Sequence, residues 1–144
     1  MAPGATPGRS VVVLHGILGA LGNWRSFVRG VAEAHPEWRF LLVDLRGHGD
    51  SRGAPAPHTI DACARDVARL VTHLGWRPDV VWGHSFGGKV GLRLAELAGA
   101  QTSSVWTLDS PLGTRHWPDT PGVGSVERLV EALHDIPLPI PSRE

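Results

Sequence analysis

The sequence predicts an α/β fold in which a parallel sheet is flanked by helices. Three observations predict it. Ser10–Leu14 and Arg39–Asp44 are short apolar runs of the kind that form strands covered on both faces, and Asp79–Gly83 and Ser103–Asp109 are two further strand candidates. The segments between them carry apolar residues at helical spacing. Glycine-rich turns follow the first three runs. The resulting order is β-α-β-α-β-α-β.

The first run, Ser10-Val11-Val12-Val13-Leu14, ends in His15-Gly16-Ile17-Leu18-Gly19. Such a loop either turns the chain into a helix or offers backbone N–H groups to a ligand. Asn23 is the expected N-cap of the next helix, with Trp24, Phe27, Val28 and Val31 on its apolar face. The second run leads into Leu45-Arg46-Gly47-His48-Gly49-Asp50-Ser51-Arg52-Gly53, rich in turn formers. Thr59 then opens a helix with Ile60, Cys63, Ala64, Val67, Leu70, Val71 and Leu74 on one face, closed by Gly75. After the third run, Phe86, Val90, Leu94 and Leu97 recur on a helix that Gly99 ends.

Between that third strand and its helix stands Gly83-His84-Ser85-Phe86-Gly87, a Gly-x-Ser-x-Gly pattern. A strand-to-helix turn this tight leaves no room for a Cβ on either side, which explains the flanking glycines, and it lifts the Ser85 hydroxyl to the top of the sheet. A helix N-terminus beneath it favours developing negative charge. The competing reading of Ser85 is an ordinary helix N-cap. Acyl transfer needs two N–H donors for its oxyanion, and the natural pair is the amides of Phe86 and Ile17.

Taken together, His15-Gly16-Ile17-Leu18-Gly19, Asp44-Leu45-Arg46-Gly47-His48-Gly49-Asp50-Ser51 and Gly83-His84-Ser85-Phe86-Gly87-Gly88-Lys89-Val90 resemble the α/β-hydrolase fold family in its esterase and lipase branch. The resemblance covers about residues 10 to 112. It implies a serine hydrolase acting on a small-molecule ester or thioester, with Ser85 as nucleophile, the amides of Ile17 and Phe86 as oxyanion hole, His15, Gly16, His84 and Gly87 shaping the site, and no cofactor. Arg46 and Asp50 are expected to fix the loop beside it. A carboxylate nucleophile, as in the epoxide hydrolases and haloalkane dehalogenases of the family, is excluded by Ser85.

A triad runs Ser, then Asp or Glu, then His along the chain. Of the carboxylates after Ser85 only Asp109 ends a strand. It is either the triad acid, as the resemblance implies for some members, or a strand-end aspartate that bonds loop amides. After it come only His116, in a loop, and His134, in the last turn of a helix, and both read as surface histidines. The family's catalytic domain is also much longer than 144 residues. The expectation is therefore a Pro/Gly-rich disordered segment over 1–9, the N-terminal part of the core over 10–112, and an incomplete cap over 113–144 with Val126, Leu129, Val130 and Leu133 on one helix. The fold would be truncated after its fourth recognisable strand and the start of that cap, with the catalytic histidine beyond Glu144. The alternative is a non-catalytic binding module of the same fold. Self-association of such a chain is expected from an uncovered edge.

Composition narrows the partners. A net charge of +0 gives no electrostatic case for nucleic acid. No apolar run is long enough to span a bilayer, and the first residues lack a secretory core, so the compartment defaults to the cytoplasm. Cys63 is the single cysteine and sits on an apolar helix face. The eight histidines show no metal spacing. Of the six tryptophans, Trp24, Trp82 and Trp106 are expected in the core.

Overall fold

The computed structural model describes residues 8–99, 102 and 104–110. The expected cap segment 113–144, with His116, His134 and its amphipathic helix, lies outside them.

Strand β1 (Arg9–Leu14) leads through a single 3-10 turn (Leu21–Trp24) into helix α1 (Arg25–Ala34). Strand β2 (Trp38–Val43) follows, then a second 3-10 turn (Gly49–Ser51) and helix α2 (Ile60–His73). Strand β3 (Val80–His84), helix α3 (Phe86–Ala98) and strand β4 (Ser104–Leu108) complete the order that the periodicity predicts. All three strand pairings are parallel and the sheet order is β2-β1-β3-β4. The chain thus steps from β1 to β2 in one direction and places β3 on the other side of β1. In open α/β sheets the crevice at such a reversal, outside the strands' carboxyl ends, is where ligands bind.

Alternation along β1 splits the core between the two faces. Val12 and Leu14 join Val81, Val90, Leu94 and Val67 under α2 and α3, whereas Val11 and Val13 join Val80 and Val28 of α1. Both faces of β1 are covered, so it is apolar at every position from Val11 to Leu14. The outer strands are less enclosed. Every residue of β2 but Val43 is only half-buried, contrary to the expected buried strand, because β2 has one neighbour in this sheet. Trp106 on β4 is exposed rather than in the core for the same reason.

Local signals also divide. Thr59 caps α2 as expected, its hydroxyl accepting the Ala62 amide at 3.2 Å, and Gly75 and Gly99 adopt positive φ after α2 and α3. Asn23 does not cap α1. It lies inside the preceding 3-10 turn, where its Oδ1 accepts the Ala20 amide at 2.7 Å, and α1 starts after Trp24. Phe27, expected on the buried face of α1, is exposed and packs edgewise on Trp24.

Candidate active site

Ser85 joins β3 directly to α3 with φ 50° and ψ −114°. An L-residue with a Cβ enters this region only at a cost, of order 1–3 kcal/mol, and such strain collects at functional sites. The Ser85 side chain makes no capping hydrogen bond, so the ordinary N-cap reading fails. Two backbone bonds hold the turn instead: Ser85 N–H donates to the Leu108 carbonyl at 2.9 Å, and Gly88 N–H donates to the Ser85 carbonyl at 3.0 Å. The turn closes so tightly that a Cβ on Gly83 would stand 2.3 Å from the Gly87 carbonyl oxygen. A Cβ on Gly87 would stand 2.6 Å from the carbonyl oxygens of both Leu14 and His15. The first turn of α3 is therefore seated on the end of β1, and only glycines permit it.

That seating brings the 15–19 loop to Ser85. The Cβ position of Gly16 lies 2.9 Å from His84 Nδ1 and 3.5 Å from Ser85 Cβ. The loop is fixed from behind by His15, which is 1% exposed. His15 Nε2 accepts the Leu45 amide at 3.1 Å. Its proton must then sit on Nδ1, which donates to the Gly16 carbonyl at 2.7 Å. Gly19 N–H donates to the same carbonyl at 2.9 Å. In a trans peptide C=O and N–H point in opposite directions, so two donors on the Gly16 oxygen fix where the Ile17 N–H points. Neither Ile17 nor Phe86 N–H has an acceptor among the turn and cap bonds of the described residues.

Burial is the main reason His15 titrates below the ordinary imidazole value; the neighbouring His48 adds to the effect, while the Gly16 carbonyl and Asp44 oppose it. The 3.8 Å approach of its Nε2 to Asp44 Oδ1 is thus a contact with a neutral ring. Both ring nitrogens are committed, so His15 is a positioning residue and not a base.

Behind the loop the sequence reading needs correction. Asp50 contributes its backbone amide, and the carboxylate that pins the region is Asp44. Asp44 Oδ1 accepts the Leu21 amide at 2.7 Å and its Oδ2 accepts the Asp50 amide at 3.1 Å. Burial works against the Asp44 carboxylate, but these amides, His15 and Arg25 outweigh it and hold its pKa below the usual value. Arg46 performs the expected role: its guanidinium bonds Asp66 at 2.6 Å and the carbonyls of Pro55 and Pro57. His48 was unassigned by sequence, yet it bonds the carbonyls of Arg46 and Ile17. The available signal was position, since Asp44 and His48 are the polar residues that the strand end and turn bring nearest to the first loop.

A cavity of about 590 Å³ opens over Ser85, lined by His15, Gly16, Ile17, Leu18, Trp24 and Phe27 together with His84. Ile17, Leu18 and Phe27 are 44, 64 and 53% exposed, so the cavity offers apolar surface to solvent. His84 turns its ring toward Trp24, with centroids 6.0 Å apart. Asp109 follows β4 at the same sheet end and has φ 46°. Its carboxylate has no hydrogen-bond partner among the described residues, which end at Ser110. No group of three or more His, Cys, Asp or Glu able to hold a metal ion occurs among the described residues. No helix among them is long and apolar enough to cross a membrane.

A family model described as alpha/beta hydrolase fold matches residues 9–127. The chain belongs to the α/β-hydrolase family. Among its relatives, the sn-1-specific diacylglycerol lipase ABHD11 of Mus musculus is 33% identical over 135 residues, which cover 92% of this chain and 41% of that protein. Lipase LipV of Mycobacterium tuberculosis is 38% identical over 99 residues, 69% of this chain and 36% of that lipase. The fold is shared with a marine microorganism esterase at a TM-score of 0.76 and 23% identity, covering 92% of this chain and 49% of that one. The chain thus spans less than half the length of these α/β-hydrolases.

Proposed function

We propose that this chain carries the nucleophile and oxyanion side of a serine hydrolase that cleaves a small-molecule ester or thioester. One observation carries the reading: Ser85 is held at φ 50° on the floor of a cavity with its hydroxyl unspent on capping. A position under that strain, whose hydroxyl makes no bond among the described residues, is accounted for by reaction at the hydroxyl.

In this reading Ser85 Oγ attacks the acyl carbon as a base takes its proton, and the carbonyl oxygen becomes an oxyanion. The N–H groups of Ile17 and Phe86 bond that oxyanion, and the N-terminus of α3 adds its dipole. The intermediate collapses to an acyl-Ser85, and the base returns its proton to the departing alcohol or thiol. Water then takes the acyl group by the same steps. Asp109 orients the base, a histidine outside the described residues. The apolar wall of Ile17, Leu18, Trp24 and Phe27 suits an apolar acyl group.

The test is hydrolysis of p-nitrophenyl esters and of an acyl thioester by wild type and Ser85→Ala. Loss of the serine should lower kcat by roughly 10⁴-fold or more. Equal turnover by the two would refute the reading. A second reading, a non-catalytic binding module, is favoured by one observation: no ring nitrogen bonds the Ser85 hydroxyl among the described residues. It predicts saturable binding of an ester with no turnover by either protein.

A further inference from the structure

Two consecutive carbonyls of the 16–19 loop are gripped by imidazoles. His15 Nδ1 bonds the Gly16 carbonyl and His48 Nε2 bonds the Ile17 carbonyl, with the two ring centroids 5.0 Å apart. For His15 the proton count closes, because its second nitrogen accepts the Leu45 amide. For His48 it does not. Its Nδ1 faces the Arg46 carbonyl at 3.0 Å while its Nε2 faces the Ile17 carbonyl. Carbonyls only accept. A neutral imidazole has one N–H and can serve one of them; the imidazolium has two and serves both.

We propose that His48 is a proton-operated strap: doubly protonated it ties the 45–48 turn to the 16–19 loop, and neutral it releases one carbonyl and loosens that loop. The strap stands on the two bonds alone. Its catalytic consequence rests on the proposed oxyanion role of Ile17, because the Ile17 carbonyl is the next peptide after the Ile17 N–H.

The charged groups around His48 come from several elements. Asp44, at the end of β2, lies against His15. Asp50 stands in the 3-10 turn that follows, its amide on Asp44. Arg52 and Asn23 line the same cavity of about 440 Å³ as His48, beside Ile17 and Leu18. Arg25 acts on Asp44 from α1. The Arg46 guanidinium is turned away to Asp66. The corner therefore holds two carboxylates and two guanidiniums, the His58 ring lies against the turn with its Nδ1 3.5 Å from the Cβ position of Gly47, and His15 is kept neutral by burial; the proton on His48 decides how many of the Arg46 and Ile17 carbonyls are held.

The experiment is nitrogen-resolved NMR of the histidine rings across pH, with the exchange protection of the Gly19 amide followed in parallel. Gly19 is the right reporter because its N–H bonds Gly16 within the loop. The expected result is that both His48 ring nitrogens carry protons while Gly19 is protected, and that its protection factor falls roughly tenfold, the worth of one hydrogen bond, as His48 deprotonates. His48→Gln, with its N–H donors on one nitrogen, should show the lower protection at every pH, without the step. A single neutral His48 tautomer throughout the protected range, or Gly19 protection indifferent to the His48 titration, would overturn the strap. The ring measurement is made on wild type, so a poorly folded variant leaves it decisive. Ester hydrolysis by His48→Gln separates the two claims. Lost Gly19 protection with unchanged kcat keeps the strap and removes Ile17 from the oxyanion hole; lost protection with reduced kcat supports both.

Discussion

The amide of Ser85 donates to the carbonyl of Leu108 at 2.9 Å, one step beyond the register pair His84 and Leu108. The ladder between β3 and β4 thus continues into the residue whose φ is already reversed, and it holds that residue in place. Strain and restraint at one residue lead to an opposed pair of variants. Ser85→Gly removes the Cβ that makes φ 50° costly and should raise stability by about 1 kcal/mol. Ser85→Ala keeps the Cβ and should leave stability within about 0.5 kcal/mol. Both should be inactive toward esters. Urea unfolding midpoints give the check, and an equal effect of the two would mean that the backbone is unstrained.

Gly83 should tolerate nothing larger. A Cβ there meets backbone atoms of Gly87 at 2.3 and 2.5 Å, which cannot rotate aside. Gly83→Ala should cost at the upper end of the roughly 1–3 kcal/mol typical of overpacking, seen as a lowered Tm. Gly30, with no atom within 4 Å of its Cβ position, is the control: Gly30→Ala lies within α1 and should stabilise by up to about 1 kcal/mol.

The buried pair behind the loop sets a pH dependence of stability. His15 titrates below 6.5 in the folded protein, so between that value and its folded pKa the unfolded chain binds a proton that the folded one refuses. Its contribution is complete above about 6.5 and is lost as pH falls through the folded pKa. Asp44 titrates below 3.8, so its contribution is complete above that value and disappears at still lower pH. Wild type should weaken in two stages on acidification. His15→Phe should cost about 2–3 kcal/mol at pH 7, since the buried Leu45 amide loses its acceptor, and should flatten the first stage. Asp44→Asn should flatten the second. Denaturant midpoints between pH 3 and 8 read both.

Asp109 offers a clean test because of its backbone. At φ 46° asparagine is among the few residues that sit comfortably, so Asp109→Asn should fold with unchanged stability. If Asp109 orients the base, kcat should fall by about 10⁴. A change under tenfold would assign the acid elsewhere.

Most of the scaffold was legible because its signals are local. The uninterrupted apolar run of β1 announces a strand covered on both faces, and Gly83 and Gly87 announce the tight turn around Ser85. What sequence could not show is set by neighbours distant along the chain. Trp106 reads as core, but β4 has one partner strand among the described residues and Trp106 is exposed on it. Asn23 reads as a cap, but its carboxamide is spent on Ala20 within a 3-10 turn. Asp50 reads as the loop's anchor, but the geometry hands that task to Asp44. The roles of His15 and His48 depend on which carbonyls and amides face four ring nitrogens, and no spacing encodes that.

In the proposed function Ser85 is a nucleophile mounted by strain beside the amides of Ile17 and Phe86, neither of which has an acceptor among the turn and cap bonds of the described residues. Fluorophosphonate labelling of the folded protein followed by peptide mapping tests it most directly. The expected result is a single adduct, on Ser85, that is abolished by denaturation before labelling and slowed when Gly16→Val fills the space against Ser85. A folded protein that takes no label at Ser85, or takes it equally on other serines, would contradict the claim.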